Sequence, residues 1–330
     1  MFAAGGRPSS QSPPVTDVVA RLRIALLGGA PTLTADEVAA AAGVSRDLTQ
    51  RLWRAMGFAD IPGDEVSFTE EDLQALRRTA AMMARDGLAE GDILHLARVL
   101  GLATARMADS VVSFSADRAA AGGANPIDAG VLDEVDHLVV YLFNRNMAAA
   151  VQRHWTHAAG AEESAVLAVG FADLVGFTRL SQRLDDTELA ALIEGFEAMA
   201  SDAIVVNGGR VVKMIGDEVM WSAQPAASSE IALLLAETFD DPDLPGARVG
   251  VASGRVITRA GDLFGPTVNL AARATGVARP GSVLVAEDLF EVVEADPRYH
   301  LRRLRPRRLK GIGWANLGAL TRARSRPVAP

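Results

Sequence analysis

The chain has 330 residues, of which 49% are hydrophobic and 22% charged. That length fits two domains, and that balance excludes wholesale disorder. The acidic excess, 41 Asp plus Glu against 33 Lys plus Arg for a net charge of −8, excludes the overall charge of a nucleic-acid binder, and the lack of cysteine excludes disulfides, thiolate metal sites and thiol nucleophiles.

Residues 1–15, rich in Ser, Pro and Gly, read as a flexible tail without the apolar core of a signal peptide. No stretch approaches the ~20 apolar residues of a membrane span, so the expectation is a soluble cytoplasmic protein. Helical periodicity then runs throughout from Thr16 to about Arg118, giving an all-α domain over 16–126. Within it, LTADEVAAAAGVSRDLTQRLWRAMGF predicts a helix, a turn at Gly43 and a second helix. Thr34 is the expected N-cap, and Glu37 completes a capping box. Further helices are expected from near Thr69 and Ala89, and residues 119–126 read as a loop. A helix from about Ile127 fills a connecting segment over 127–160, with His137, His154 and His157 on or beside it.

Beyond Ala161 the pattern changes, and a second domain is expected over 161–322, followed by a short tail at 323–330. SAVLAVGFADL reads as a buried strand. The helix after it, from Asp185, carries Leu189, Leu192, Ile193 and Phe196 on one face. RVVKM and EVMWSA form a hairpin around Ile215, Gly216 and Asp217. Strands follow at ARVGVAS and SVLVAE, with a helix at TVNLAARATG between them. We read strand–helix–strand–strand–helix–strand, the ferredoxin-like βαββαβ order, with TVNLAARATG as its second helix. The fold class is α+β behind an all-α domain that contains a helix-turn-helix-like segment.

Asp173 closes a buried strand and Asp217 sits at a hairpin tip. Singly, Asp173 can cap the following helix and Asp217 can make the turn. Together, on neighbouring strands, they form an oxygen-ligand site for Mg²⁺ or Mn²⁺, and such sites serve in-line displacement at phosphorus. The chain from Leu174 through Phe177 and Thr178 turns into a helix whose amides can receive phosphate oxygens. Asn269 and Arg273, four apart, share one helix face and can orient a ribose and neutralise a phosphoryl group. The alternative is a surface Asn beside a snorkelling Arg. The Arg-rich run from Arg302 to Arg308 reads as a solvated edge strand.

FADLVGFT, VVKMIGDEVMW, GDLFGPTVNLAARA and RRLKGIG, in that order over roughly residues 161–320, resemble the class III nucleotidyl cyclase domain. The resemblance implies that Asp173 and Asp217 hold two Mg²⁺ or Mn²⁺ ions. It implies that Lys213 and its partner Asp262 read the base. An ammonium donating to N1 and a carboxylate accepting from the N6 amino group suit adenine, and both mismatch guanine. Asn269 orients the ribose, Arg273 stabilises charge on the α-phosphate, and Lys310 contacts the terminal phosphates. The expected activity is conversion of ATP to cyclic AMP and pyrophosphate in a head-to-tail homodimer. One subunit supplies the aspartates to each site, and the other supplies Lys213, Asp262, Asn269, Arg273 and Lys310. All seven positions fit the pattern, which speaks for activity.

The N-terminal half is similar to the regulatory domain of soluble two-domain bacterial adenylyl cyclases, through VSRDLTQRLWRAMGF and FTEEDLQALRR. That resemblance implies control of the cyclase, in some members by pH or through a fatty-acid-sized apolar pocket. Met82, Met83, Ile93, Leu94, Leu96, Leu100 and Met107 are candidates to line such a pocket or simply to form core. The helix-turn-helix carries Arg46, Arg51 and Arg54 against Asp36, Glu37, Asp47 and Asp60, which argues against DNA. The other readings are a GTP-using cyclase and a non-catalytic cyclase-like nucleotide-sensing module with a DNA-binding helix-turn-helix.

Overall fold

The computed structural model describes residues 15–120, 129–158, 166–239 and 246–323. It divides into two units, Met1–Met147 and Ala148–Pro330. The expected loop at 121–126 and both tails beyond 14 and 323 lie outside the described residues, as do the side chains of His154 and His157.

In the first unit, α1 (Val15–Leu26) precedes the helix pair α2 (Ala35–Ala42) and α3 (Arg46–Ala55). Thr34 caps α2 in a complete capping box with Glu37, and the turn follows at Gly43. Helix α4 (Glu70–Asp86) starts the same way, with Thr69 and Asp72. Helices α5 (Glu90–Ala120) and α6 (Ala129–Ala158) follow, and the unit boundary falls within α6. Leu48, Leu52, Ala55, Ile93 and Leu94 form one core cluster; Ala35, Val38, Phe68 and Leu73 form another. Two expectations need correction. The unit is not helical throughout, because β1 (Leu33–Thr34) and β2 (Val66–Phe68) pair as an antiparallel ribbon. Leu33 and Phe68 drop into the second cluster there, and two- and three-residue strands are too short to show a period. Residues 119 and 120, expected in a loop, belong to α5, which runs through Ala120.

The second unit is built on a seven-stranded sheet. Its elements in chain order are β3 (Val166–Leu174), α7 (Phe177–Ser181), α8 (Asp186–Val206), β4 (Arg210–Ile215), β5 (Glu218–Ala223), α9 (Pro225–Thr238) and β6 (Ala247–Arg255). There follow β7 (Ile257–Arg259), β8 (Asp262–Phe264), α10 (Pro266–Val277), β9 (Ser282–Ala286), α11 (Phe290–Glu294), β10 (Tyr299–Arg303), β11 (Arg307–Leu309), β12 (Gly313–Ala315) and β13 (Leu317–Arg322). The sheet order is β10-β13-β9-β6-β3-β5-β4, while β7–β8 and β11–β12 are separate ribbons. The run β6-β3-β5-β4 is the ferredoxin-like core, with α8 and α9 as its helices. The expected second helix of that core is therefore wrong. It is α9, whereas α10 is a crossover that carries the chain to β9, parallel to β6. Helix α9 buries residues all round, including Ser228 and Ser229, so it lacks the polar face that marks an amphipathic helix.

Central strands buried on both faces need continuous apolar sequence, which VLAVGFADL supplies. Ala168, Ala172 and Leu174 pack with Phe196, Trp221 and Ile231 on one face; Val169 and Phe171 pack with Ala271 and Ala274 of α10 on the other. Strand β10 is the sheet edge, and its exposed Arg302 and Arg303 fit the solvated-edge reading. Among the described residues no helix is long and apolar enough to cross a membrane.

Candidate active site

Alternation along β3 places Asp173 on the α10 face, one step beyond Val169 and Phe171. Directly across from it stand Glu218 of β5 and Arg248 of β6. The next strand pair ends in a two-residue turn, Gly216 and Asp217, closed by the pair Ile215 and Glu218; Gly216 has φ 61°, which a side chain disfavours. The Leu174 N–H donates to the Asp217 carbonyl at 3.0 Å, tying the hairpin tip to the end of β3. Two expectations for single residues are resolved here. Asp217 does make the turn. Asp173 does not cap α7, whose N-cap is Gly176 with no side-chain bond. Instead Asp173 Oδ2 accepts from Arg248 Nε, with Arg248 Nη2 also 2.5 Å away.

The corner is therefore crowded with carboxylates. Burial, then the charge of Asp173, pushes Asp217 above the usual carboxylate range; Arg248 opposes the rise. Glu218 is raised by burial, then by Asp173 and Asp217, again against Arg248. Half-buried, mutually repelling carboxylates of this kind suit a hard divalent cation. Among the described residues no three such ligands form a closed cage. Sequence reasoning missed Arg248 and Glu218, because their place beside Asp173 depends on register across strands; Arg248 lies 75 positions away. One signal was available: Arg248 interrupts the otherwise uncharged run ARVGVAS.

Lys213 Nζ of β4 and Asp262 Oδ2 of β8 meet at 2.6 Å, although 49 positions separate them. The Leu263 N–H donates to Asp262 Oδ1 at 2.8 Å. Burial raises the Asp262 carboxyl, but the Lys213 ammonium and that amide outweigh it and hold the group below the ordinary range. Arg210 Nη1 donates to the Gly261 carbonyl at 3.4 Å, linking β4 to the ribbon that carries Asp262.

Helix α10 buries Ala271 and Ala274 and leaves Asn269 and Arg273 exposed. Its start is pinned by Thr267 Oγ1 donating to the Arg255 carbonyl. Lys310 is exposed in the turn between β11 and β12. Phe177 and Thr178 open α7, whose internal ladder begins with Arg179 and Leu180 donating to the Gly176 carbonyl. Thus the structure joins Lys213 to Asp262 and places Asp217 at the end of the strand that carries Asp173. Among the described residues no hydrogen bond or ion pair connects either aspartate to Lys213, Asp262, Asn269, Arg273 or Lys310.

In the first unit the arginines of the helix-turn-helix are spent on neighbours: Arg46 on Asp36, Arg51 on Asp47 and Glu90, Arg54 on Asp60. Behind α3 lies a cavity of about 380 Å³, lined among others by Trp53, Phe58, Phe68, Met82, Ile93, Leu96, Ala97 and Leu100. Thr49, Thr79 and Thr104 also line it, but their hydroxyls donate to their own helices and leave methyl groups for the wall. Of the expected lining residues, Met82, Ile93, Leu96 and Leu100 reach it. Leu94 and Met83 belong to the packed core, and Met107 is exposed. The aromatic wall was not foreseen.

Residues 160–318 match the family model described as the adenylate and guanylate cyclase catalytic domain, and residues 15–128 match the adenylate cyclase regulatory domain. An adenylate cyclase of Streptomyces coelicolor (strain ATCC BAA-471 / A3(2) / M145) is 41% identical over 310 residues, covering 87% of this chain and 80% of that one. One from Glutamicibacter nicotianae is 35% identical over 333 residues, 93% of this chain and 83% of that one. A pH-sensitive adenylate cyclase of Mycobacterium tuberculosis (strain CDC 1551 / Oshkosh) is 34% identical over 301 residues, 85% of this chain and 75% of that one.

Proposed function

The chain belongs to the adenylate cyclases, with a regulatory domain ahead of a cyclase catalytic domain, and on that premise we propose that it converts ATP to 3′,5′-cyclic AMP and pyrophosphate in a homodimer with shared sites. The observation that carries the choice of ATP is the ion pair between Lys213 and Asp262. A fixed donor beside a fixed acceptor matches N1 and the N6 amino group of adenine. Guanine presents N1–H and O6 and leaves both protein groups unpaired.

Asp173 and Asp217 would hold two divalent ions, Mg²⁺ or Mn²⁺, which supply acidity at the ribose 3′-hydroxyl and charge for the triphosphate. The rest falls to the chain's own groups. Asn269 orients the ribose so that its 3′-oxygen faces the α-phosphorus. Arg273 donates to the α-phosphate oxygens as charge builds there. Lys310 holds the terminal phosphates, and the first amides of α7, at Phe177 and Thr178, face phosphate oxygens. The bond formed is O3′–Pα and the bond broken is Pα–O to pyrophosphate. Positioning and charge do the work, with no covalent nucleophile.

One chain supplies Asp173 and Asp217 to a site, and its partner supplies Lys213, Asp262, Asn269, Arg273 and Lys310. Asp173→Ala and Asn269→Ala homodimers are each expected below about 1% of wild-type turnover, the loss of roughly 10²-fold or more that follows removal of one transition-state group. Random mixing of equal amounts makes half the dimers mixed, each with one intact site of two, so activity returns to about a quarter of wild type. Mixed dimers that form but stay inactive would reject the shared site.

The helical unit regulates this reaction through a fatty-acid-class lipid in its aromatic-walled cavity or through protons. The helix-turn-helix arginines Arg46, Arg51 and Arg54 each pair with carboxylates, which favours this reading over nucleic-acid binding.

A further inference from the structure

Asp262 sits on a ribbon that the seven-stranded sheet does not hold. Strands β7 and β8 pair only with each other, around a turn at Ala260 and Gly261. Both turn residues are left-handed, with φ 53° and 80°, and Ala260 is the one non-glycine residue with positive φ among the described residues. A tight hairpin turn needs that conformation, but a Cβ makes it costly, so such a turn persists where its surroundings impose it. An isolated two-stranded ribbon is itself marginal. Leu263 anchors this one in the core cluster that also holds Met220. At the tip, Arg210 Nη1 donates to the Gly261 carbonyl at 3.4 Å.

Arg210 reaches that tip because of an irregularity in β4. Residues three apart on a regular strand point to opposite faces. Between Val211 and Lys213 the register shifts, so that Arg210 stands across from Ser222 and Lys213 across from Met220, alternate residues of β5. The bulge thus brings Arg210 and Lys213 onto one face, that of Met220 and Leu263, and aims them at consecutive residues, Gly261 and Asp262. The charge of Arg210 is felt at the same place. Burial raises the Asp262 carboxyl, while Lys213, the Leu263 amide and, last, Arg210 pull it below its ordinary range. We propose that Arg210 is a positioning residue for base recognition, fixing the ribbon tip through the Gly261 carbonyl so that Asp262 stays beside Lys213 to accept from the amino group of adenine. This rests on the reading of Lys213 and Asp262 as the base-reading pair.

The test is kcat/KM of the full chain for ATP, for GTP and for purine riboside triphosphate, which lacks the amino group. Arg210→Met keeps the apolar stem and loses the donor and the charge. It is expected to lower kcat/KM for ATP about 3- to 10-fold, the worth of one hydrogen bond, and mostly through KM. GTP and purine riboside triphosphate have no amino group for Asp262 at that position, so their values hold and the preference for ATP narrows by the same factor. A variant that merely loosens the fold loses all three nucleotides alike. That outcome overturns the proposal, and so does an unchanged ratio of ATP to GTP. Should Arg210→Met not fold, Arg210→Gln, polar but too short to span to the ribbon, carries the same expectations and the same refutations. Replacing Lys213 with Glu and Asp262 with Cys separates the two layers. If that double variant keeps its preference for ATP, the base-reading pair itself fails; if it loses the preference while the Arg210 variants keep it, only the role of Arg210 fails.

Discussion

Lys213 and Asp262 define what a single side-chain pair contributes here. Their side chains are 38% and 27% exposed, so the ion pair adds little to stability, on the order of 1 kcal/mol or less. Its sign is still defined. The Asp262 carboxyl is held below its ordinary range, so its contribution is present above the unfolded value and is lost as pH falls through the lowered one. The larger consequence is selectivity, because a buried base edge that meets the wrong partners leaves several polar groups unpaired. Replacing Lys213 with Glu and Asp262 with Cys is therefore expected to lower the ratio of kcat/KM for ATP over GTP by about 10²-fold or more, while the melting temperature barely moves. A folded, active double variant with unchanged preference for ATP would remove the pair from base recognition.

At the scale of elements, what could be read in the sequence was what is local. The capping box at Thr34 and the Gly216–Asp217 turn are built by residues within three positions of one another, and the structure has both. The Lys213–Asp262 pairing came from motif order, since nothing in their spacing brings β4 to β8. Arg248 and Glu218 stayed hidden because a strand pattern does not state its register. Helix α9 stayed hidden because a helix buried all round has no stripe. Packing produces a similar blind spot at Gly170, in the middle of β3. A Cβ there would stand 2.2 Å from Trp221 Cζ2, and Trp221 is fully buried with its Nε1 lacking a hydrogen-bond partner among the described residues. The glycine exists to let the indole lie flat on the strand. Gly170→Ala is expected to cost about 1–3 kcal/mol in urea unfolding, the usual range for overpacking. Adding Trp221→Phe relieves the clash and removes an unpaired donor, so the double variant should be more stable than Gly170→Ala alone. Additive losses in that cycle would show that the two residues do not press on each other.

For the molecule as a whole, one chain carries a cyclase catalytic domain and, ahead of it, a helical unit with a cavity of its own. That cavity opens to solvent, with Phe58 and Leu100 of its wall exposed, and its volume of about 380 Å³ lies within the range of small-molecule sites. Its threonine hydroxyls are already committed, so its walls suit an apolar ligand. A ligand can alter turnover only by binding one state of the chain more tightly than another. If this cavity is the regulatory site, filling it should both block the ligand and fix the state. Ala97, partly buried beside the cavity, is the position to enlarge. Ala97→Trp is expected to weaken binding of a fluorescent fatty acid by about 10-fold or more, since a side chain then occupies the volume. The same variant should lose the response of cyclic AMP formation to added fatty acid while still cyclising ATP. A filled variant that binds the probe and responds as wild type does would place lipid control elsewhere.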